Sequence, residues 1–147
     1  MAKLKSIESL KLDLKAKIKK NIKKQEAGVL IDLIANELKL LNESQSRSIV
    51  SAGTVTPDSD SDEIIVITAQ AEALAIANPT GSPEEGQAML IRIKDNSSAR
   101  AISFGAIYRQ IGTTLPTTTV VDKTLYIGIV YNAADTKWDV ISVNQEA

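Results

Sequence analysis

The hydrophobic residues of this chain change their period once. From Leu4 to Leu41 they recur at helical spacing, and from Ile64 onward they alternate, apolar then polar, as in strands with one covered face. No long helical pattern interrupts the second part. The change therefore predicts a segregated α+β chain: one N-terminal amphipathic helix, or two, followed by an antiparallel β-sandwich or jelly-roll-like domain.

The helical part has two characters. Leu4, Ile7, Leu10, Leu14, Ile18 and Ile22 fall within an arc of roughly 120° on a helical projection, with most lysines outside it. Residues 29–43 keep a single lysine, Lys39, and gain Val29, Leu30, Ile31, Leu33, Ile34, Leu38, Leu40 and Leu41, an apolar surface wide enough to be covered on more than one side. Gly28 lies between the two and marks a kink or a break, at a cost of about 1 kcal/mol relative to Ala inside a helix. Ile31, Ile34, Leu38 and Leu41 fit the a and d positions of a heptad. Isoleucine at both positions leans toward trimers or larger bundles. These four are the candidate oligomerisation residues, and the alternative is a helix packed on its own domain.

Net charge is −1, but it is unevenly placed. Residues 1–24 hold nine lysines against Glu8 and Asp13, leaving +7, and residues 25–147 hold eight basic and sixteen acidic groups, leaving −8. A basic arm on an acidic body calls for an acidic partner. Leu14, Ile18 and Ile22, with Lys19, Lys20, Lys23 and Lys24 around them, form the candidate anchor. The arm carries no arginine and no aromatic residue, so nucleic-acid base readout or stacking is not expected. No apolar run approaches the ~18 residues needed to span a bilayer.

The chain of 147 residues contains no cysteine and no histidine. Thiolate metal sites are excluded, as are the usual general base and the usual transition-metal ligand. No phosphate-binding loop, dinucleotide fingerprint or nucleophile elbow is present. Asp58, Asp60 and Asp62 begin like a calcium loop, but Glu63 stands where the turn glycine belongs and Ala69 where the bidentate glutamate belongs, so a solvated acidic linker is expected. Glu84 and Glu85 are neighbours in a turn, unlike the facing carboxylates of a glycosidase. No catalytic, cofactor-binding or metal-binding residue is assigned, and the chain is read as a non-enzyme.

Residues 1–43 are thus the helical anchor and oligomerisation segment. Residues 44–63, rich in serine and aspartate, are a linker or entry loop, within which "RSIVSAGTV" has room for a short strand. Residues 64–147 are the β-sandwich domain. Six strands are expected in it: "EIIVITAQ", "EALAIAN", "QAMLIRIKD", "RAISFG", "KTLYIGIVYN" and "KWDVISVN". The last two form a hairpin, with Trp138 in the core.

The stretch "TAQAEALAIANPTG" through "YNAADTKWDVISVNQEA", about 80 residues, resembles a small β module of tailed-bacteriophage virion proteins, of the head-fibre or head-decoration type. The motifs that carry it are "ANPTG.P..GQ", "IRIKDN..ARAISFG", "LPTTTV..KTLYIG" and "YNAADTKWDV". The resemblance implies a non-enzymatic particle protein, often trimeric, located on the virion after assembly in the host cytoplasm. It implies no site residue. The arm would then dock on an acidic surface of a capsid or other virion protein. Alternatives are a tail or baseplate appendage and a receptor- or glycan-binding adhesin module.

Overall fold

The computed structural model describes residues 2–21, 27–42 and 45–147, which fall into two compact units, Met1–Ser44 and Gln45–Ala147. The first unit holds helices α1 (Ala2–Asn21) and α2 (Ala27–Asn42). Gly28 lies in the first turn of α2, so the chain forms two helices and the glycine opens the second.

The second unit is built of nine strands: β1 (Ser46–Ile49), β2 (Thr54–Val55), β3 (Ile64–Gln70), β4 (Leu74–Ile76), β5 (Ala88–Asp95), β6 (Ile102–Phe104), β7 (Tyr108–Gln110), β8 (Thr124–Asn132) and β9 (Lys137–Gln145). All six strands expected from the alternation are present as β3, β4, β5, β6, β8 and β9. A six-stranded sheet has the order β1-β3-β5-β8-β9-β7 and a three-stranded sheet the order β2-β4-β6. The chain is therefore α+β with mixed sheets.

The expectation of antiparallel pairing holds for β5–β8 and β8–β9, and is corrected elsewhere. β1–β3, β3–β5, β2–β4, β4–β6 and β7–β9 pair in parallel. The cause is the path of the chain. From β1 to β2, from β3 to β4 and from β5 to β6 it passes from the large sheet to the small one, and each pass stacks in parallel on the one before. The turn residues between these strands make corners from sheet to sheet. Only the "NAADT" turn between β8 and β9 makes the expected hairpin.

Inward positions stack in register across the passes. Ile65, Ile91 and Ile127 form one row and Ile67, Ile93 and Leu125 the next, all at 0–2% exposure. Val55, Leu74, Ile76 and Ile102 from the small sheet join the same core. Tyr131 pairs directly with Trp138, with ring centroids 5.3 Å apart.

Residues 45–63, within the stretch expected as a linker or entry loop (residues 44–63), carry β1 and β2 and belong to the winding. Val55, Pro57, Ser59 and Asp62 are buried. The polar residues that suggested a linker instead satisfy corner backbone. Asp62 Oδ2 accepts from Asp58 N at 2.8 Å and from Arg47 at 2.7 Å, and Ser59 N donates to Thr80 O at 2.9 Å in the next pass. Gly81, at φ 91°, lies so close to this loop that a side chain there would meet Ser59 Oγ and Asp58 Oδ1. At a second corner the buried Gln70 side chain donates to Ala52 O and Glu72 O and accepts from Ala52 N.

β1 and β7 are the edges of the large sheet. β7 is held on β9 by Arg109, which makes two bonds to the Asp139 carboxylate at 2.6 and 2.9 Å and a third to Asp135 at 2.6 Å. The Arg109 guanidinium holds the Asp139 carboxyl below the usual range.

Two outcomes follow from these contacts. Trp138→Ala removes a ring at 1% exposure and should lower unfolding stability by about 3–5 kcal/mol, read from denaturant midpoints. Asp139 has a lowered folded pKa, so its stabilisation is present above the ordinary carboxylate value near pH 4 and is lost as pH falls through the lowered one. Asp139→Asn should lower stability at neutral pH and flatten the acid limb of a stability-versus-pH curve.

Candidate functional site

In the helical unit every described apolar side chain is half-buried or exposed. On α1, Leu10, Leu14 and Ile18 follow i, i+4 spacing and are half-buried. On α2, Leu30, Leu33 and Glu37 are half-buried. The two helices touch, and Lys17 Nζ lies 2.8 Å from Asp13 and 3.8 Å from Glu37, joining them. The hydrogen bond that Lys17 donates to Asp13 raises the Lys17 pKa, with Glu37 adding a smaller attraction. No described side chain of either helix is fully buried.

One position further along α2, about 100° around its axis, runs a second apolar stripe. Ile31 is 65% exposed, Ile34 37% and Leu38 59%. These are three of the four expected oligomerisation residues; the Leu41 side chain lies outside the described residues. The width of the apolar surface predicted coverage on more than one side. The structure accounts for one side, the Leu30 and Leu33 stripe, and leaves the other open.

The expected anchor divides in the same way. Leu14 and Ile18 lie on the half-buried stripe of α1, whereas Lys19 and Lys20 are exposed in its last turn, where positive charge complements the helix dipole. Ile22, Lys23 and Lys24 lie outside the described residues. No described helix is long and apolar enough to cross a membrane.

In the β unit the acidic constellations have structural partners. Asp58 Oδ1 accepts from Asp60 N and Asp60 Oδ1 from Ser82 N, both at 3.0 Å, so the three aspartates point into their own corner. Among the described residues no cluster of three or more acidic, histidine or cysteine side chains is arranged to hold a metal. Glu85 accepts from Ala133 N at 2.7 Å, joining the Glu84–Glu85 corner to the β8–β9 turn. Asp95 is buried and accepts from Ser98 N and Asp122 N at 3.0 and 3.1 Å and from the Thr119 hydroxyl.

Four of the five aromatic side chains are core or packed on it: Trp138 on Tyr131, and Phe104 edge-on to Tyr108, whose hydroxyl donates to Ala77 O at 2.9 Å. Burial holds the Tyr108 phenol above its ordinary pKa. Tyr126 is the exception, at 37% exposure on the outward face of the large sheet. It was not among the residues singled out from the sequence. The signal was present, because Leu125 and Ile127 point inward and the residue between them must point out.

No protein-family model, no curated protein and no solved structure matches this chain.

Proposed function

We propose that this chain is a non-enzymatic structural protein of a tailed-bacteriophage particle, a head fibre or capsid-decoration protein, and that it assembles as a homotrimer through its helical unit. The setting comes from the resemblance of residues 68–147 to virion β modules. The assembly part rests on one observation, the open stripe of Ile31, Ile34 and Leu38 on a helix pair with no buried side chain among its described residues.

Two helices of this length cannot enclose a core by themselves. An apolar side chain taken from water into a seam contributes roughly 1.5–3 kcal/mol. Copies of α2 meeting along this stripe give each helix pair the core it lacks, and isoleucine at both a and d favours three copies. The β unit has its own core and is the displayed body. Lys19 and Lys20, followed in sequence by Lys23 and Lys24, are left for an acidic surface of a capsid or other virion protein. The particle forms in the host cytoplasm. A tail or baseplate position uses the same parts, and the adhesin reading draws on Tyr126, the exposed ring of the β unit.

Light scattering on the full chain should give three times its 15.8 kDa mass. Ile31→Lys with Leu38→Lys should yield monomers while the β unit keeps its unfolding midpoint, since exposed substitutions change stability within about 0.5 kcal/mol. A monomeric parent at micromolar concentration refutes the trimer. In co-sedimentation with particles lacking this protein, Lys19→Gln with Lys20→Gln should bind more weakly, and added salt should weaken it less than the parent. Equal sedimentation of parent and variant at every salt concentration refutes charge-assisted docking.

A further inference from the structure

The outward face of the large sheet holds a feature that assembly through the helices does not use. Two open cavities, of 260 and 450 Å³, meet over Lys94, Thr124 and Tyr126. Arg92, Tyr126 and Asn144 stand side by side on β5, β8 and β9 in direct register, and Lys94 pairs with Thr124 in the next row. Thr68 of β3 forms the far wall.

The cations of this face differ in one respect. Lys94 Nζ donates to Asp122 O at 2.5 Å and lies 3.4 Å from Glu146. Arg92 has no hydrogen bond or ion pair with any described residue, although residues 45–147 hold twelve acidic groups against seven basic ones. Arg47 and Arg109, in the same unit, are both paired with carboxylates. Arg92 thus presents a fork of five N–H donors beside the exposed Tyr126 ring, on an open floor edged by hydroxyl and amide groups and, at the far end of the larger cavity, by the Glu146 carboxylate beside Lys94.

We propose that this groove binds a saccharide bearing a carboxylate, with Tyr126 beneath the pyranose ring and Arg92 on the carboxylate. A flat ring offers an apolar platform to the C–H face of a sugar, and its phenol adds a polar edge. Guanidinium matches carboxylate geometry with two parallel hydrogen bonds. Thr68 and Asn144 suit sugar hydroxyls, while Thr124 is engaged by Glu146. A nucleic acid fits less well, because a polyphosphate would meet a unit with five excess negative charges. The groove lies on the β unit, and its ligand is independent of how the helices assemble.

The test is saturation-transfer NMR and calorimetry on the full-length protein. The probes are sialyllactose and a glucuronate-containing tetrasaccharide, with lactose and sodium sulfate as the neutral and simple-anion counterparts. At least one acidic saccharide should bind, with lactose weaker by about tenfold or more. Arg92→Gln and Tyr126→Ala should each weaken that binding by about tenfold or more. Both side chains point outward, and an unchanged unfolding midpoint shows that the fold is kept. The proposal fails if neither acidic saccharide binds, if lactose binds equally well, if sulfate competes at equal concentration, or if Arg92→Gln binds like the parent.

Discussion

The inward stacking of isoleucine across successive passes is the constraint on which the β unit depends. Strands of three to nine residues from separate parts of the chain share one sheet only if their alternations are in phase, because a slip of one residue turns every side chain to the opposite face. Ile65, Ile91 and Ile127 meet that condition over more than 60 residues of sequence, and Ile67, Ile93 and Leu125 repeat it one step along. Once those rows are in place, the small sheet follows, since each corner delivers the next strand opposite the last.

Corners that return the chain within a few residues would strand backbone polar groups, and buried groups without partners are costly. Gln70, Asp62 and Asp95 answer this with side chains that take two or three backbone partners each or a backbone partner and an arginine. Buried polar residues in this protein are thus local connectors. That role explains why an acidic, serine-rich stretch is integral to the fold while its composition resembles a linker.

Periodicity made the N-terminal helical segment, six of the nine strands, the β8–β9 hairpin and the burial of Trp138 legible in the sequence, but left open whether the segment was one helix or two. It could not reveal whether strands run in parallel, because alternation reports which face is covered and not the direction of the neighbour. β2 and β7, of two and three residues, are too short to show a period. Ile31, Ile34 and Leu38 could be named from heptad spacing, and all three lie exposed on α2. The pairing state of Arg92 was illegible, since it depends on acids that lie near it only after folding.

Among the described residues the first pass has a strand partner on one side. β1 is an edge strand, parallel to β3. It is four residues long and polar at three of them, and Arg47 at its centre is fastened to Asp62 and Thr56 O. Such an edge is a growth front held in check by brevity and charge. The same architecture that lets one pass template the next would let a longer, more apolar β1 template a foreign strand, converting a finite body into a polymer. Ser46, Arg47 and Ser48 thus make β1 a poor template for a further strand.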